Sequence, residues 1–267
     1  MKKFLAIMLA AVMVFALCAC GQQSQPIDEA MENTDSDLAY ITEKGTMVIG
    51  ITDYAPMNYK DDNGEWTGFD TEFALLVGEK LGVDVEFIEI DWDNKQNELN
   101  SKSVDCIWNG MTLTDEIIAS METTNPYVIN AQVVVMAADK VSEYADIESL
   151  AKLNFAVEAG SAGEAALKDN GLENYTAVNA QSDALMEVAS GSADACVIDI
   201  TMANAMTGEG TSYANLTSGI SLTEEEYGIG FRKGSDMAEA VNAIIDELKA
   251  DGSLQALAEK YELTLVD

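Results

Sequence analysis

Short apolar runs alternate with helical patterns through the first half of the folded chain. Residues 46–51 and 104–108 are apolar runs typical of buried strands, and residues 83–87 alternate apolar and acidic side chains as a half-buried strand does. A helix that ends at Gly82 separates the first two strands, and a second helix follows Trp92. This β-α-β-α-β order predicts a parallel sheet with a ligand at the carboxyl ends of its strands.

The pattern restarts after Tyr127 and predicts a second α/β unit. The chain then returns through a strand at residues 227–232 and an amphipathic helix near its end. We therefore predict two lobes joined by two crossover strands that form a hinge. Lobe 1 is predicted at residues 39–130 and 226–267, and lobe 2 at residues 131–225.

The N-terminus has the pattern of an export signal. Lys2 and Lys3 precede an apolar run at residues 4–17. A transmembrane anchor is the alternative, but this run is shorter than the ~20 residues that span a bilayer. We therefore predict a signal peptide at residues 1–19.

A lipid anchor is predicted directly after the signal peptide. The sequence Leu-Cys-Ala-Cys that ends at Cys20 resembles a bacterial lipobox, which implies a lipoprotein with acyl chains such as palmitate on that residue. Residues 20–38 are polar and acidic and are predicted to be a flexible tether. We expect an extracytoplasmic protein on the outer face of the cell membrane, of the Gram-positive type.

Composition narrows the classes of function. The net charge of −33 disfavours binding to nucleic acid. The chain has no histidine, which excludes Ser-His-Asp and Cys-His catalysis. Cys106 and Cys196 each lie in an apolar run, so we predict core thiols, with a disulfide between them as the less favoured alternative.

A strand–loop–helix corner at residues 103–127 is the strongest candidate for a binding site. Asn109-Gly110 is a turn signal after the apolar strand, and Thr114 followed by two acids is typical of a helix N-cap. Hydroxyls and backbone N–H groups therefore converge at the corner, as a site for a small polar ligand requires. A corner that only reverses the chain is the alternative.

Several ordered motifs carry a family resemblance. They are GMTLT at 110–114, NPY at 125–127, VEAGSAGE at 157–164, ADACVID at 193–199 and YGIGFRKGS at 227–235. From about residue 46 to 261 the chain resembles the polar-amino-acid family of extracellular solute-binding proteins, the capture subunits of ABC importers. The resemblance implies an α/β, two-lobed, periplasmic-binding-protein-like (type II) fold. It also implies a monomeric, non-enzymatic receptor without metal or cofactor, whose partners are a small solute and ABC permease subunits.

The resemblance also implies the ligand contacts. Asp199 matches the aspartate that accepts the ligand's α-ammonium group, and helix N-capping is the alternative role. Gly110 and Thr112 match positions that contact the carboxylate, and Asn109 adds an amide beside them; hydrogen bonding within the loop is the alternative role. Ser161 and Ala162 lie at a predicted helix start whose N–H groups attract a carboxylate, although Ala162 stands where relatives often have threonine. Tyr54 and Trp92 match the aromatic positions that sandwich the ligand in relatives, with core packing as the alternative. Asp53 and Glu158 lie where relatives choose the ligand's side chain, but each taken alone is better explained as a solvated acid.

One position departs from the family pattern. Ile117 stands where relatives carry the arginine that binds the α-carboxylate, and the chain's only arginine, Arg232, lies near the predicted hinge. Three possibilities stay open: helix N–H groups and hydroxyls alone hold the carboxylate, the ligand is a cationic amino acid, amine or small peptide, or Lys95 reaches the site. We predict an amino acid or close derivative, with a bias toward cationic ligands.

Two other functions are compatible with the fold. A ligand sensor acting in trans would use the same cleft. An enzyme is the second alternative, because the fold also resembles cyclohexadienyl dehydratases, but such an enzyme needs a basic group for its substrate's carboxylates. We expect no enzymatic activity.

Overall fold

A computed structural model of the protein describes residues 36–267. The predicted signal peptide, Cys20 and the tether up to residue 35 lie outside the described residues. In chain order the helices and strands are α1 Asp37–Lys44, β1 Thr46–Ile51, β2 Tyr59–Lys60, β3 Trp66–Thr67, α2 Phe69–Leu81, β4 Asp84–Glu89, α3 Lys95–Asn100, β5 Cys106–Thr112, α4 Asp115–Ser120, β6 Met121–Thr123, β7 Val128–Asn130, β8 Gln132–Ala137, α5 Ile147–Leu150, β9 Phe155–Glu158, α6 Ala162–Asp169, β10 Tyr175–Val178, α7 Gln181–Ser190, β11 Ala195–Asp199, α8 Ile200–Met206, β12 Leu216–Ser221, β13 Glu225–Arg232, α9 Met237–Ala250 and α10 Ser253–Lys260.

The first sheet has the strand order β4-β1-β5-β13-β6, and β7 also pairs with β13. β4, β1 and β5 are parallel, as the β-α-β-α-β pattern predicts, whereas β13 runs antiparallel to β5, β6 and β7. The core of this lobe forms around aromatic rings, and Trp108 packs edge-on against Phe73 with 4.9 Å between the ring centroids.

The second sheet has the strand order β10-β9-β11-β8-β12. β10, β9 and β11 are parallel to one another, and β8 lies antiparallel between β11 and β12. The chain passes between the sheets twice, from β7 to β8 and from β12 to β13. These two passages give the predicted two-lobed α/β architecture; below, the first lobe is that of the first sheet and the second lobe that of the second sheet.

The corner at residues 109–114 differs in part from its prediction. Thr114 caps α4 as predicted, because its hydroxyl oxygen accepts the N–H of Ile117 at 3.2 Å. The predicted turn at Asn109-Gly110, however, lies inside β5, which continues to Thr112. The backbone tolerates this because Gly110 has φ of +54°, a left-handed conformation that glycine adopts without a steric penalty.

The predicted tether is two residues too long at its C-terminal end. α1 begins at Asp37, and the hydroxyl of Ser36 caps it by accepting the N–H of Ala39 at 3.0 Å. Asp37 is buried and pairs with the guanidinium of Arg232, which explains why an acidic residue belongs to the folded domain here. Sequence pattern alone gives no sign of such a long-range pair.

The two cysteines of the described chain follow their prediction. Cys106 and Cys196 are both buried and both free, so they pack as small apolar side chains. Within residues 36–267, none of the helices combines the length and apolar character that crossing a bilayer requires.

Candidate ligand-binding cleft

A cavity of about 430 Å³ lies between the two lobes. The last residues of β5, β9 and β11 line it, so it lies where carboxyl ends of strands from both sheets meet. Eight of the ten predicted ligand-binding residues contribute to its wall. They are Trp92, Asn109, Gly110, Thr112, Glu158, Ser161, Ala162 and Asp199.

Tyr54 does not line this cavity. Its side chain is buried, and its hydroxyl forms short hydrogen bonds with the hydroxyls of Thr201 and Tyr227. The predicted aromatic sandwich therefore has only Trp92 in the cavity wall. Tyr54 instead connects the loop after β1 to α8, because Thr201 belongs to that helix of the second lobe.

Asp53 also lies outside the cavity. It lines a separate groove together with Glu89 and Asp183. Burial, followed by the nearby charge of Glu89, raises the pKa of the Asp53 carboxyl. The predicted role of Asp53 in selecting the ligand's side chain would require contact with a cavity that it does not reach.

The predicted donors of the first lobe are already bonded within the protein. Asn109 exchanges hydrogen bonds with the backbone of Thr52, at 3.0 Å in both directions. The N–H of Gly110 donates to Asp70 at 2.6 Å, and the hydroxyl of Thr112 donates to Glu225 at 2.8 Å. A ligand carboxylate would have to displace these bonds, so the three groups form the wall rather than a set of open donors.

Lys95 supplies a positive charge to the cavity, and Ile117 is also part of the cavity wall. Its Nζ donates to the carbonyl oxygens of Trp92 at 3.1 Å and Gly160 at 2.9 Å, and lies 4.9 Å from the centroid of the Trp92 ring. An ammonium group has three N–H donors, so one is left for a ligand. Burial lowers the pKa of Lys95, and the neighbouring Glu158 opposes that effect.

Asp199 is held by three side-chain amides. Its Oδ1 accepts from Gln132 at 2.7 Å and from Asn130, and its Oδ2 accepts from Gln181. Oδ1 is thereby saturated, whereas Oδ2 keeps a lone pair for a ligand donor. Burial, and then the charge of Glu225, raise the pKa of Asp199 to about 7. Asp199 stands at the N-cap position of α8 without making a side-chain capping bond, so capping does not account for its carboxylate.

Glu158 is the second buried carboxylate of the cavity, with 2% of its surface exposed. Its Oε1 has no hydrogen-bond partner among the described residues. Burial, followed by the charge of Asp199, raises the pKa of Glu158 to about 8, although Lys95 acts in the opposite direction. The strands that carry these two acids are neighbours, since β9 and β11 pair in parallel.

The start of α6 faces the same space. Ser161 caps this helix by accepting the N–H of Glu164 at 3.1 Å, and Ala162 is its first residue. Backbone N–H groups in the first turn have no acceptor within the helix, and the helix dipole adds partial positive charge there. An anionic group of a ligand is therefore favoured at this end of the cavity.

Four polar residues around Asp199 escaped the sequence analysis. Glu225 accepts from the amides of Asn130 at 3.1 Å and Gln132 at 3.0 Å, so a polar network joins the two passages between the lobes. Gln181 completes the cage around Asp199. A usable signal was present: Gln132 is a polar residue at the start of an otherwise apolar strand, directly at the predicted lobe boundary.

Most of the described chain matches a known protein family. The profile of the bacterial extracellular solute-binding proteins, family 3, matches residues 47–264. The L-cystine-binding protein TcyJ of Escherichia coli is 28% identical over 257 residues, which cover 95% of this chain and 94% of the relative.

Solved structures show the same similarity. An amino acid ABC transporter substrate-binding protein from Streptococcus pneumoniae bound to L-arginine gives a TM-score of 0.77 at 26% identity, covering 86% of this chain and 100% of that one. The ancestral amino acid-binding protein AncCDT-1, described as a precursor of cyclohexadienyl dehydratase, gives a TM-score of 0.77 at 31% identity, covering 85% and 99%. With its two lobes and its inter-lobe cavity, this chain belongs to the bacterial extracellular solute-binding proteins of family 3.

Proposed function

We propose that this protein is the substrate-binding lipoprotein of an ABC importer, and that it captures an amino acid or close derivative in the inter-lobe cleft by hinge closure. The relatives named for cystine and arginine binding support an amino-acid ligand. The two lobes would comprise residues 39–130 with 226–267, and residues 131–225. Lipidation at Cys20 would hold a monomer at the outer face of a Gram-positive cell membrane, next to its permease.

The arrangement of charges in the cavity carries this proposal. Asp199 offers one free lone pair to an ammonium group, while Lys95 and the first turn of α6 offer donors to a carboxylate. An α-amino acid has these two groups on one carbon. Ligand binding at Ser161 and Ala162 would thus replace part of the contact that an arginine at position 117 makes in relatives.

A non-enzymatic role fits the same cavity. Its wall contains six carboxylates (Asp93, Glu116, Glu158, Glu164, Asp169 and Asp199) and two lysines (Lys95 and Lys168). Lys168 is paired with Glu164 at 2.9 Å. Lys95 is then the one lysine of this wall left to serve the carboxylates of a dehydratase substrate, whereas an α-amino acid brings a single α-carboxylate, so we propose ligand capture without chemistry.

A thermal-shift screen tests the proposal directly. The mature protein is unfolded and refolded to remove any ligand carried from expression, then heated with each common amino acid, their amides, diamines and dipeptides. A ligand that binds only the folded state raises the midpoint, by an amount that grows with the ratio of its concentration to its Kd. A shift with at least one α-amino acid is expected, and a panel without any shift would overturn the proposed ligand class.

Replacing Gly160 by alanine should impede closure of the two lobes. This residue has φ of +67°, and a Cβ on it would lie 2.6 Å from Oδ1 of Asp93, which belongs to the first lobe. We expect Gly160→Ala to hold the lobes apart, so that the radius of gyration from small-angle X-ray scattering with ligand stays at its ligand-free value. Affinity should fall by about tenfold or more, because the new Cβ would also lie 2.9 Å from Cα of Asp93 in the closed state, and overpacking of this kind costs about 1–3 kcal/mol.

Gly171 provides the matched control. Its φ of +70° imposes the same backbone strain, but nothing lies within 4 Å of its Cβ position. Gly171→Ala should lower thermal stability as Gly160→Ala does, while ligand-induced compaction is retained. Equal compaction in both variants would show that Gly160 does not limit closure.

A further inference from the structure

The fold leaves the carboxylate of Glu158 incompletely hydrogen-bonded. Its Oε1 is buried and unpartnered, and the side chain lines the cavity. A buried carboxylate oxygen that lacks a donor is costly, because desolvation of the group is not offset by hydrogen bonds. A ligand that brings a positively charged donor would remove that cost.

The charges inside the cavity also favour a ligand that carries a second positively charged group. Asp199 and Glu158 are the two acids of the wall with less than 5% of their surface exposed, and Lys95 donates to the carbonyl oxygen of Gly160 in the second lobe. The α-ammonium and α-carboxylate of an amino acid match Asp199 and Lys95. Glu158 then remains without a ligand group, and a cationic donor on the ligand's side chain would be complementary to its ionised form.

We propose that Glu158 binds a cationic group on the ligand's side chain, such as a guanidinium or ammonium, and thereby selects cationic amino acids over neutral ones of the same shape. This inference rests on the proposed function. It differs from a general attraction of cations by the acidic surface, because it assigns the selection to a single buried carboxylate.

Binding of the cation would release a proton. Glu158 is faced by Asp199 from β11, by Lys95 from α3, by Asp183 from α7 and by the hydroxyl of Thr52. Because the pKa of Glu158 without ligand is about 8, the carboxyl is mostly protonated at pH 7 and must ionise to pair with a cation. Affinity for a cationic amino acid should therefore rise as the pH increases toward 8.

The test compares L-arginine with L-citrulline, which has the same shape but carries a neutral urea group. We expect calorimetric titration of the refolded, ligand-free protein to give at least about tenfold tighter binding of arginine. Titrations in buffers of different ionisation enthalpy should show more proton release with arginine than with citrulline at pH 7, because both ligands ionise Asp199 and only arginine ionises Glu158. In Glu158→Gln the arginine preference should fall to about onefold, and the proton release with the two ligands should become equal.

Glu173→Gln is the matched control, because Glu173 is an exposed glutamate of the same lobe that is not part of the cavity wall. It removes one negative charge and should leave both the arginine preference and the proton release unchanged. Equal binding of arginine and citrulline by the wild type, or an unchanged preference in Glu158→Gln, would overturn the inference and leave the proposed function intact. If neither these ligands nor any other α-amino acid binds, the proposed function itself fails.

Discussion

Replacing Asp199 with asparagine should weaken binding of the amino-acid ligand by about a hundredfold or more. Removing one partner of a buried, hydrogen-bonded charge pair costs on the order of 2–5 kcal/mol, because the other charge is left without compensation. Asparagine keeps the shape of the side chain and one oxygen for Gln132 and Asn130. Since burial already raises the pKa of Asp199 to about 7, a neutral side chain at this position should be tolerated by the fold.

Calorimetric titration with the amino acid found in the screen measures this loss. The thermal midpoint without ligand should change by only a few degrees, which separates a binding defect from unfolding. Asp246→Asn, at an exposed acid of α9 outside the cavity wall, should bind within about threefold of the wild type because solvent screens its charge. Near wild-type affinity of Asp199→Asn would show that the ammonium group is bound elsewhere.

The part of the fold set by local patterns could be predicted from the sequence. The apolar strand at residues 104–108, the N-cap at Thr114 and the core thiols depend on neighbours in sequence or on burial alone. The parallel order of β1, β4 and β5 follows from the helices between them, since parallel strands need long connections. These features require no knowledge of distant contacts.

Local sequence patterns could not predict which polar groups are free to bind a ligand and which are already hydrogen-bonded within the protein. Gly110 is bonded to Asp70, 40 positions earlier, and Thr112 to Glu225, 113 positions later. Whether a polar group is open to a ligand depends on such partners, and one sequence does not reveal them. The same limit applies to Tyr54, whose position suggests a pocket wall but whose hydroxyl is bonded to α8.

Two elements, β10 and α10, were not predicted. β10 is an edge strand with two exposed residues among its four, so it shows no apolar period for sequence patterns to report. α10 follows α9 after a short turn at Gly252 and buries Leu254 and Leu257 at helical spacing, so its pattern was readable although only one helix was predicted there.

The arginine at position 232 contributes to the fold rather than to ligand binding. Its Nε lies 2.9 Å from Oδ2 of Asp37, and its Nη1 donates to the carbonyl oxygen of Val104 at 2.9 Å. Asp105 lies 3.6 Å from Nη2. With about 11% of the arginine side chain and 9% of the Asp37 side chain exposed, this is a nearly buried cluster that fixes α1 to β5 and β13.

Removing that arginine should destabilise the protein strongly. We expect Arg232→Met to lower the free energy of unfolding by about 3 kcal/mol, because the buried Asp37 then keeps only the half-exposed Lys102, 3.8 Å away, as a charge partner. Lys233→Met removes an adjacent but mostly exposed cation and should cost less than about 1 kcal/mol. Urea denaturation of the ligand-free protein measures both values.

If Asp37 is the main partner, Asp37→Asn combined with Arg232→Met should cost less than the sum of the single variants. Strict additivity would instead show that the arginine acts mainly through the backbone carbonyls.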